Sequence, residues 1–380
     1  DKAAARKDTE RKGDDPVNKH VSLEAAAYTD TDHVSVLTPS ISATLENPTN
    51  GASFHGQYLL DVVSAASVDV VSTASKRWTE SRHAGVLVAG YKPRDFGVSV
   101  EGSMSSESDY FAYAAGVTVT HDFDEKNLTL LFGYGFGHDT IGRAHTPFSV
   151  FSRQVTHGSF TGGFSRTIDN ATVLSGSLDV IIENGDQSKP YRYVPMFTSD
   201  EAAKVPKGAS IEYVTKHRLP ERPLEQLPLA RRRFALSSRI AHRFATSTIR
   251  GEERLYYDTW GLTASTTDAR WIFDVGDRVS LWPHLRFHLQ SGVTFWQRAY
   301  VSKSAGGWDL PEFRTGNREF GPLWTATGGG GVRFNLGPAR EPRMWGIAVH
   351  SDVMYTSFLD DLYLTERTGV LGALTLEGEL

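Results

Sequence analysis

The chain has no cysteine among its 380 residues. No disulfide bridge, no thiolate metal site and no lipidated N-terminus is therefore expected. No apolar run approaches the ~18 residues that a membrane-spanning helix needs. Charge of one sign is not in excess either: 40 Lys and Arg stand against 45 Asp and Glu. That balance gives no reason to expect a nucleic-acid partner. Short catalytic signatures are missing too, with no Gly-x-Ser-x-Gly elbow and no zinc-spaced His-Glu motif. The expectation is a chain with no cofactor, no metal and no catalytic residues, and not an enzyme.

What is present is alternation. Between Arg231 and Gln290 the chain splits at its turns into runs of ten to fifteen residues. In the clearest run, Val279, Leu281, Leu285, Phe287 and Leu289 alternate with Arg278, Ser280, His284, Arg286, His288 and Gln290. Successive side chains of a strand point to opposite faces, so each run has one oily and one charged face. Strands of soluble proteins are typically about five or six residues long. These runs are about twice that, the length that crosses a bilayer at a tilt. Oily faces then meet lipid, and charged faces meet a watery lumen.

The same reading places about sixteen strands, from 19–30 through 278–292 to 366–380. The links sort by length. After every second strand the link is short and made of turn formers, as in Asn47-Pro48-Thr49-Asn50-Gly51, Asp169-Asn170 and Gly276-Asp277. Longer links, 64–79, 139–153, 185–229, 293–320 and 357–365, fall on the other parity. Short turns at one rim and long loops at the other are the pattern of outer-membrane barrels, with the short turns in the periplasm. The expected fold is all-β, a transmembrane antiparallel β-barrel occupying 19–380, with both termini periplasmic. Residues 1–18 are charged and aperiodic and read as a disordered periplasmic tail. No signal peptide is visible at Asp1, and an exported protein is then expected to be in its mature form here.

The two halves of the expected lumen differ. Small residues such as Ser99, Gly133, Gly135, Ser159 and Thr161 face it in the first half. In the second half the lumen positions are Arg233, Arg239, Arg243, Arg250, Arg254, Arg270, Arg278 and Arg286, with His284 and His288. Against these arginines the same reading sets three acids, Glu252, Asp258 and Asp268. His284 and His288 are about 13 Å apart along a strand, too far to chelate one ion. Aromatic residues at strand ends, including Tyr91, Tyr110, Tyr257, Trp260, Trp271 and Tyr355, are expected to girdle the membrane interfaces. Two features strain the pattern. Glu253 falls on the lipid parity, and the run 262–275 has a weak outward face of Thr263, Ser265, Thr267 and Ala269.

Three stretches carry a family resemblance. They are Tyr28-Thr29-Asp30-Thr31-Asp32-His33-Val34-Ser35-Val36, the doubled phrase Asp61-Val62-Val63-Ser64-Ala65-Ala66-Ser67-Val68-Asp69-Val70-Val71-Ser72-Thr73-Ala74-Ser75, and Pro190-Tyr191-Arg192-Tyr193-Val194-Pro195. Together they resemble the bacterial outer-membrane barrel family called domain of unknown function 3570, over most of 19–380. The resemblance implies the outer membrane of a Gram-negative bacterium, with lipid and lipopolysaccharide around the barrel, and no settled activity. It also implies envelope partners, such as a small lipoprotein. One departure is the end, Leu376-Glu377-Gly378-Glu379-Leu380, where such barrels usually carry an aromatic residue. The doubled phrase makes Ser64, Ser67, Asp69, Ser72 and Ser75 candidates for an in-folded lid or latch. The proline-rich loop 185–229 is too long to be idle and is expected to be a plug or a docking surface. The functional expectation is a pore or the barrel of an envelope complex. The alternative is a closed scaffold that holds a partner, with a barrel enzyme third.

Overall fold

The computed structural model describes residues 17–65, 78–303, 309–337 and 345–380. Its sixteen long strands close into one antiparallel barrel. In chain order these begin with β1 (Asn18–Asp30), β2 (Val34–Asn47), β3 (Ala52–Ala65), β4 (Trp78–Tyr91), β5 (Phe96–Ser106) and β6 (Tyr110–Phe123). Next come β7 (Leu128–Ile141), β8 (Arg153–Thr167) and β9 (Thr172–Gly185). A two-residue strand, β10 (Met196–Phe197), interrupts the series before β11 (Ala230–Arg243), β12 (Ser247–Asp258), β13 (Thr263–Val275) and β14 (Val279–Gln290). After a second short strand, β15 (Tyr300–Val301), the barrel ends with β16 (Leu323–Asn335), β17 (Trp345–Phe358) and β18 (Glu366–Glu379). β18 pairs with β1 and closes the ring.

One parity stays outside all the way round. Leu23 pairs with Ile41 on one side and Leu376 on the other. Leu285 pairs with Ala269 and Gly328. Leu87, Phe132 and Leu285 are 59%, 55% and 67% exposed. An apolar belt of this kind is what a bilayer covers. It is flanked by aromatic rings, with Tyr91, Phe96, Trp271 and Trp345 toward the short-turn rim and Tyr113, Tyr257, Trp324 and Tyr355 toward the other. Two expected members do not join. Tyr110 lies on the inward parity, and Trp260 is buried among Leu227, Leu262 and Val293 above the barrel.

The two strained features resolve each other. Glu253 stands opposite Thr267 and one step from Ser265. Ser265 Oγ donates to its Oε1 at 2.7 Å and Thr267 Oγ1 to its Oε2 at 2.5 Å. The weak outward face of β13 is therefore what satisfies the outward carboxylate of β12. A lipid-facing charge keeps its hydrogen bonds, and the register needs no bulge.

Both described chain ends lie at the short-turn rim. The opposite rim carries a folded cap. β10 and β15 pair in parallel there, and two short helices, Ser199–Ala202 and Ile211–His217, start at Thr198 and Ser210, whose side chains accept backbone N–H bonds. Phe197, Val205, Ala209, Val214 and Leu362 form one buried cluster, and Val194, Met196, Leu219 and Tyr300 a second. Loop 185–229 is thus a packed structure whose core is shared with the 291–322 and 359–365 loops. Arg192 pairs with Glu225 inside the loop, and Tyr191 bonds Asp109 across the rim. From the 291–322 loop, Arg318 pairs with Asp32 and the Trp296 ring N–H bonds the Asp360 carbonyl. Residues 1–16 of the expected tail, and Ser67, Asp69, Ser72 and Ser75 of the expected latch, lie outside the described residues. Ser64 is at the end of β3.

Candidate functional site

The inward positions of β11 to β14 form one charged wall. Pairing is set by register: Arg233, Arg239 and Arg286 find acids on the adjacent strand, whereas Arg243 and Arg254 reach acids one strand further away. At the cap end, Arg233 bonds Glu183 at 3.1 Å. At mid-height Arg239 bonds Glu252 through Nε and Nη2, at 2.8 and 2.5 Å. At the short-turn rim Arg243 bonds Asp274 at 2.5 Å. Arg254 and Arg286 are held loosely, each 3.9 Å from a carboxylate, Asp179 and Asp268 respectively. Arg250 and Arg270 have no ion pair among the described residues.

The histidines act separately, as their spacing requires. His284 lies between Asp268, 2.9 Å from Nε2, and Asp352, 3.1 Å from Nδ1. His288 bonds Thr266 at 2.7 Å and Gln290 at 3.2 Å. Gln290 in turn donates to the Glu319 and Gly321 carbonyls at the base of the cap.

Two expected wall residues are placed differently. Arg278 is in the turn before β14, because the strand starts one residue later than the alternation suggests. Asp258 is fully buried at the β12–β13 turn. It accepts the backbone N–H groups of Trp260 and Leu262 at 2.9 and 3.1 Å, the Tyr256 hydroxyl at 2.8 Å and the Arg231 guanidinium. It shapes a turn and does not line a bore. Arg231 itself, stacked 4.3 Å above the Trp260 ring, belongs to the same knot.

The wall also holds acids that the sequence count omits. Asp274 has inward parity on β13, and Asp179 and Glu183 come from β9, across a long loop from the arginines they face. The cation excess is smaller than eight against three suggests, but it persists at Arg250 and Arg270. The wall that follows β9, from β8 to β6, is narrow in side chain: Gly133 stands between Thr118 and Thr161, and Gly135 between Gly116 and Ser159. A cleft of about 410 Å³ opens at the short-turn rim between Arg243, Asp274, Asp277 and Asn335.

A family profile matches residues 151–341, a stretch that includes the whole charged wall from β9 through β14. The chain belongs to the family described as protein of unknown function (DUF3570). The matched stretch leaves out the doubled phrase. No curated protein matches the DUF3570 chain. Among solved structures it is similar to the outer membrane protein OprD from Pseudomonas aeruginosa, with TM-score 0.44 and 6% identity over 96% of this chain and 94% of that one. It is similar also to OccK11 (OpdR) from Pseudomonas aeruginosa, with TM-score 0.42 and 10% identity over 96% of both chains. The siderophore receptor PirA from Acinetobacter baumannii aligns with TM-score 0.41 and 8% identity over 90% of this chain, which spans only 53% of that receptor. Nothing about function follows from likeness of this degree.

Proposed function

We propose that this DUF3570 barrel is an outer-membrane pore for small solutes that favours anions, with its short-turn rim in the periplasm. The observation that carries the reading is where the wall arginines find their partners. A lumen closed by its own loop would pair them with loop carboxylates such as Glu212, Glu221 and Glu225. Glu225 instead accepts bonds from Thr315 Oγ1 at 2.5 Å, from the Lys189 N–H at 2.9 Å and from Arg192. Among the described residues neither Glu212 nor Glu221 pairs with a wall arginine. The wall therefore keeps a net positive field toward the lumen, which raises the local anion concentration.

A second reading, a scaffold that holds an envelope partner in a closed barrel, is favoured by the cap, whose packed clusters bridge the loop rim. Planar-bilayer recording of the purified barrel separates the two. Anion-selective steps whose selectivity weakens with salt support the pore. Silence across the voltage range, with a partner that co-purifies and is lost when Arg239 and Arg286 become serine, supports the scaffold. Cation selectivity in the wild type overturns the assignment of the arginine wall.

A further inference from the structure

β12 and β13 set Arg250 directly opposite Arg270 on the inner wall. The rung is a hydrogen-bonded pair. On the same two strands the Asp274 N–H bonds the Thr246 carbonyl and the Asp258 N–H bonds the Leu262 carbonyl, and such pairs recur at every second residue. The two α-carbons then lie about 5.5 Å apart. Like charges in that relation repel. Acids are near, but they are taken. On the next rung Glu252 faces Asp268. Glu252 is drawn toward β11 by Arg239 at 2.8 Å, and Asp268 toward β14 by His284 at 2.9 Å. Two guanidinium groups are left side by side, facing the lumen, without a carboxylate of their own.

We propose that Arg250 and Arg270 form a binding site for a divalent oxyanion, inorganic phosphate or a phosphate monoester. Each guanidinium offers a planar fork of N–H donors that matches an oxyanion edge. A tetrahedral anion carrying nearly two charges can accept from both forks and remove their repulsion. Chloride brings one charge and no directional acceptors. The site lies three residues into β12 from its short-turn end at Ser247, so a solute meets it just inside that mouth. The proposal rests on the pore reading for the route by which the anion arrives.

Calorimetric titration of inorganic phosphate into the folded full-length barrel in detergent, at fixed ionic strength, tests it. The expected result is saturable one-to-one binding that falls at least about tenfold in Arg250→Gln and in Arg270→Gln. Lys at either position should give an intermediate affinity, since it keeps the charge and loses the fork. Heat-modifiable gel migration reports whether each variant is folded, and the two positions are read independently. No saturable binding in the wild type, or equal affinity in the folded variants, overturns the site. Conductance is measured separately. A silent barrel that binds phosphate keeps the site and loses the pore, and an anion-selective barrel without phosphate affinity does the reverse.

Discussion

His284 and Asp352 stand on β14 and β17 with β16 between them, yet His284 Nδ1 meets Asp352 Oδ1 at 3.1 Å. Gly329 of β16 is in register with both. A side chain there would fill the space that the contact crosses. A Cβ on Gly329 would collide with the Asp352 carboxylate and the Ser351 carbonyl, whereas one on the outward Gly328 would meet only Leu285, at 3.8 Å. Gly329→Ala should therefore cost about 1–3 kcal/mol of barrel stability, as overpacking does, and Gly328→Ala almost nothing. The temperature of the heat-modifiable gel shift measures both. Equal behaviour of the two variants would remove the glycine gap from the account.

The outward parity makes a second prediction. Leu285 faces lipid and Arg286, its sequence neighbour, faces the lumen. An arginine at the bilayer midplane costs roughly 2–4 kcal/mol in such barrels. Leu285→Arg should impair insertion into lipid vesicles, and Arg286→Leu should insert like the wild type. Wild-type protein recovered as a soluble monomer without detergent would contradict the membrane face altogether.

Strand number, strand faces and loop sorting were all legible in the sequence, because each rests on a period of two within one short segment. Wall pairing was not legible in the same way. Glu183 and Arg233 are cross-strand partners separated by the whole of the cap loop, and no local pattern announces that. The cap was hidden for a related reason. Its clusters join Phe197 to Leu362 and Met196 to Tyr300, contacts between loops that carry no periodicity. Trp260 and Asp258 misled because they sit where strand becomes turn, and there alternation no longer tells a lumen position from a turn anchor. The Glu253 difficulty did contain its own answer, since Ser265 and Thr267 form the anomalous face beside it. Only the register connects them.

Sidedness follows from the rims. If the short turns are periplasmic, the cap faces outward. The chain has no native cysteine, so single cysteines report position cleanly. Lys216→Cys, exposed in the cap, should react with a membrane-impermeant maleimide on intact cells. Asp277→Cys, exposed in the β13–β14 turn, should react only after the outer membrane is opened. The reverse pattern would invert the orientation.

Tyr191 ties three loops together. It donates to Asp109 Oδ2 at 2.7 Å and accepts from the Ala144 N–H. Burial first, and then the bond to Asp109, push its phenol up to about 12. The bonded form is the neutral one, so its contribution is complete below the unfolded value of about 10. It is lost as the pH rises through about 12. Tyr191→Phe should speed proteolysis of the 186–195 segment several-fold, because the loop then opens locally at lower cost. Wild-type cleavage, corrected for protease activity, should stay flat from about pH 7 to 9, where the phenol keeps its proton. Identical cleavage of wild type and variant would show that the tie holds nothing.

The last prediction concerns sign. If the wall acts by net charge, removing one of its acids should strengthen anion preference, as surely as removing an arginine weakens it. Asp274 and Glu252 are the acids to remove, since each holds one arginine, Arg243 and Arg239 respectively. Both pairs are partly exposed to the lumen, and exposed pairs contribute only about 0–1 kcal/mol to stability. Asp274→Asn and Glu252→Gln should therefore fold normally. Each frees a guanidinium whose charge was cancelled nearby. Reversal potentials in asymmetric KCl should shift toward greater chloride preference in both variants, and the opposite way in Arg243→Ser and Arg239→Ser. The four shifts should shrink between about 0.1 M and 1 M salt, where the screening length falls from roughly 10 to 3 Å. Acid and arginine variants that move selectivity in the same direction would mean that pore geometry, not wall charge, sets the preference.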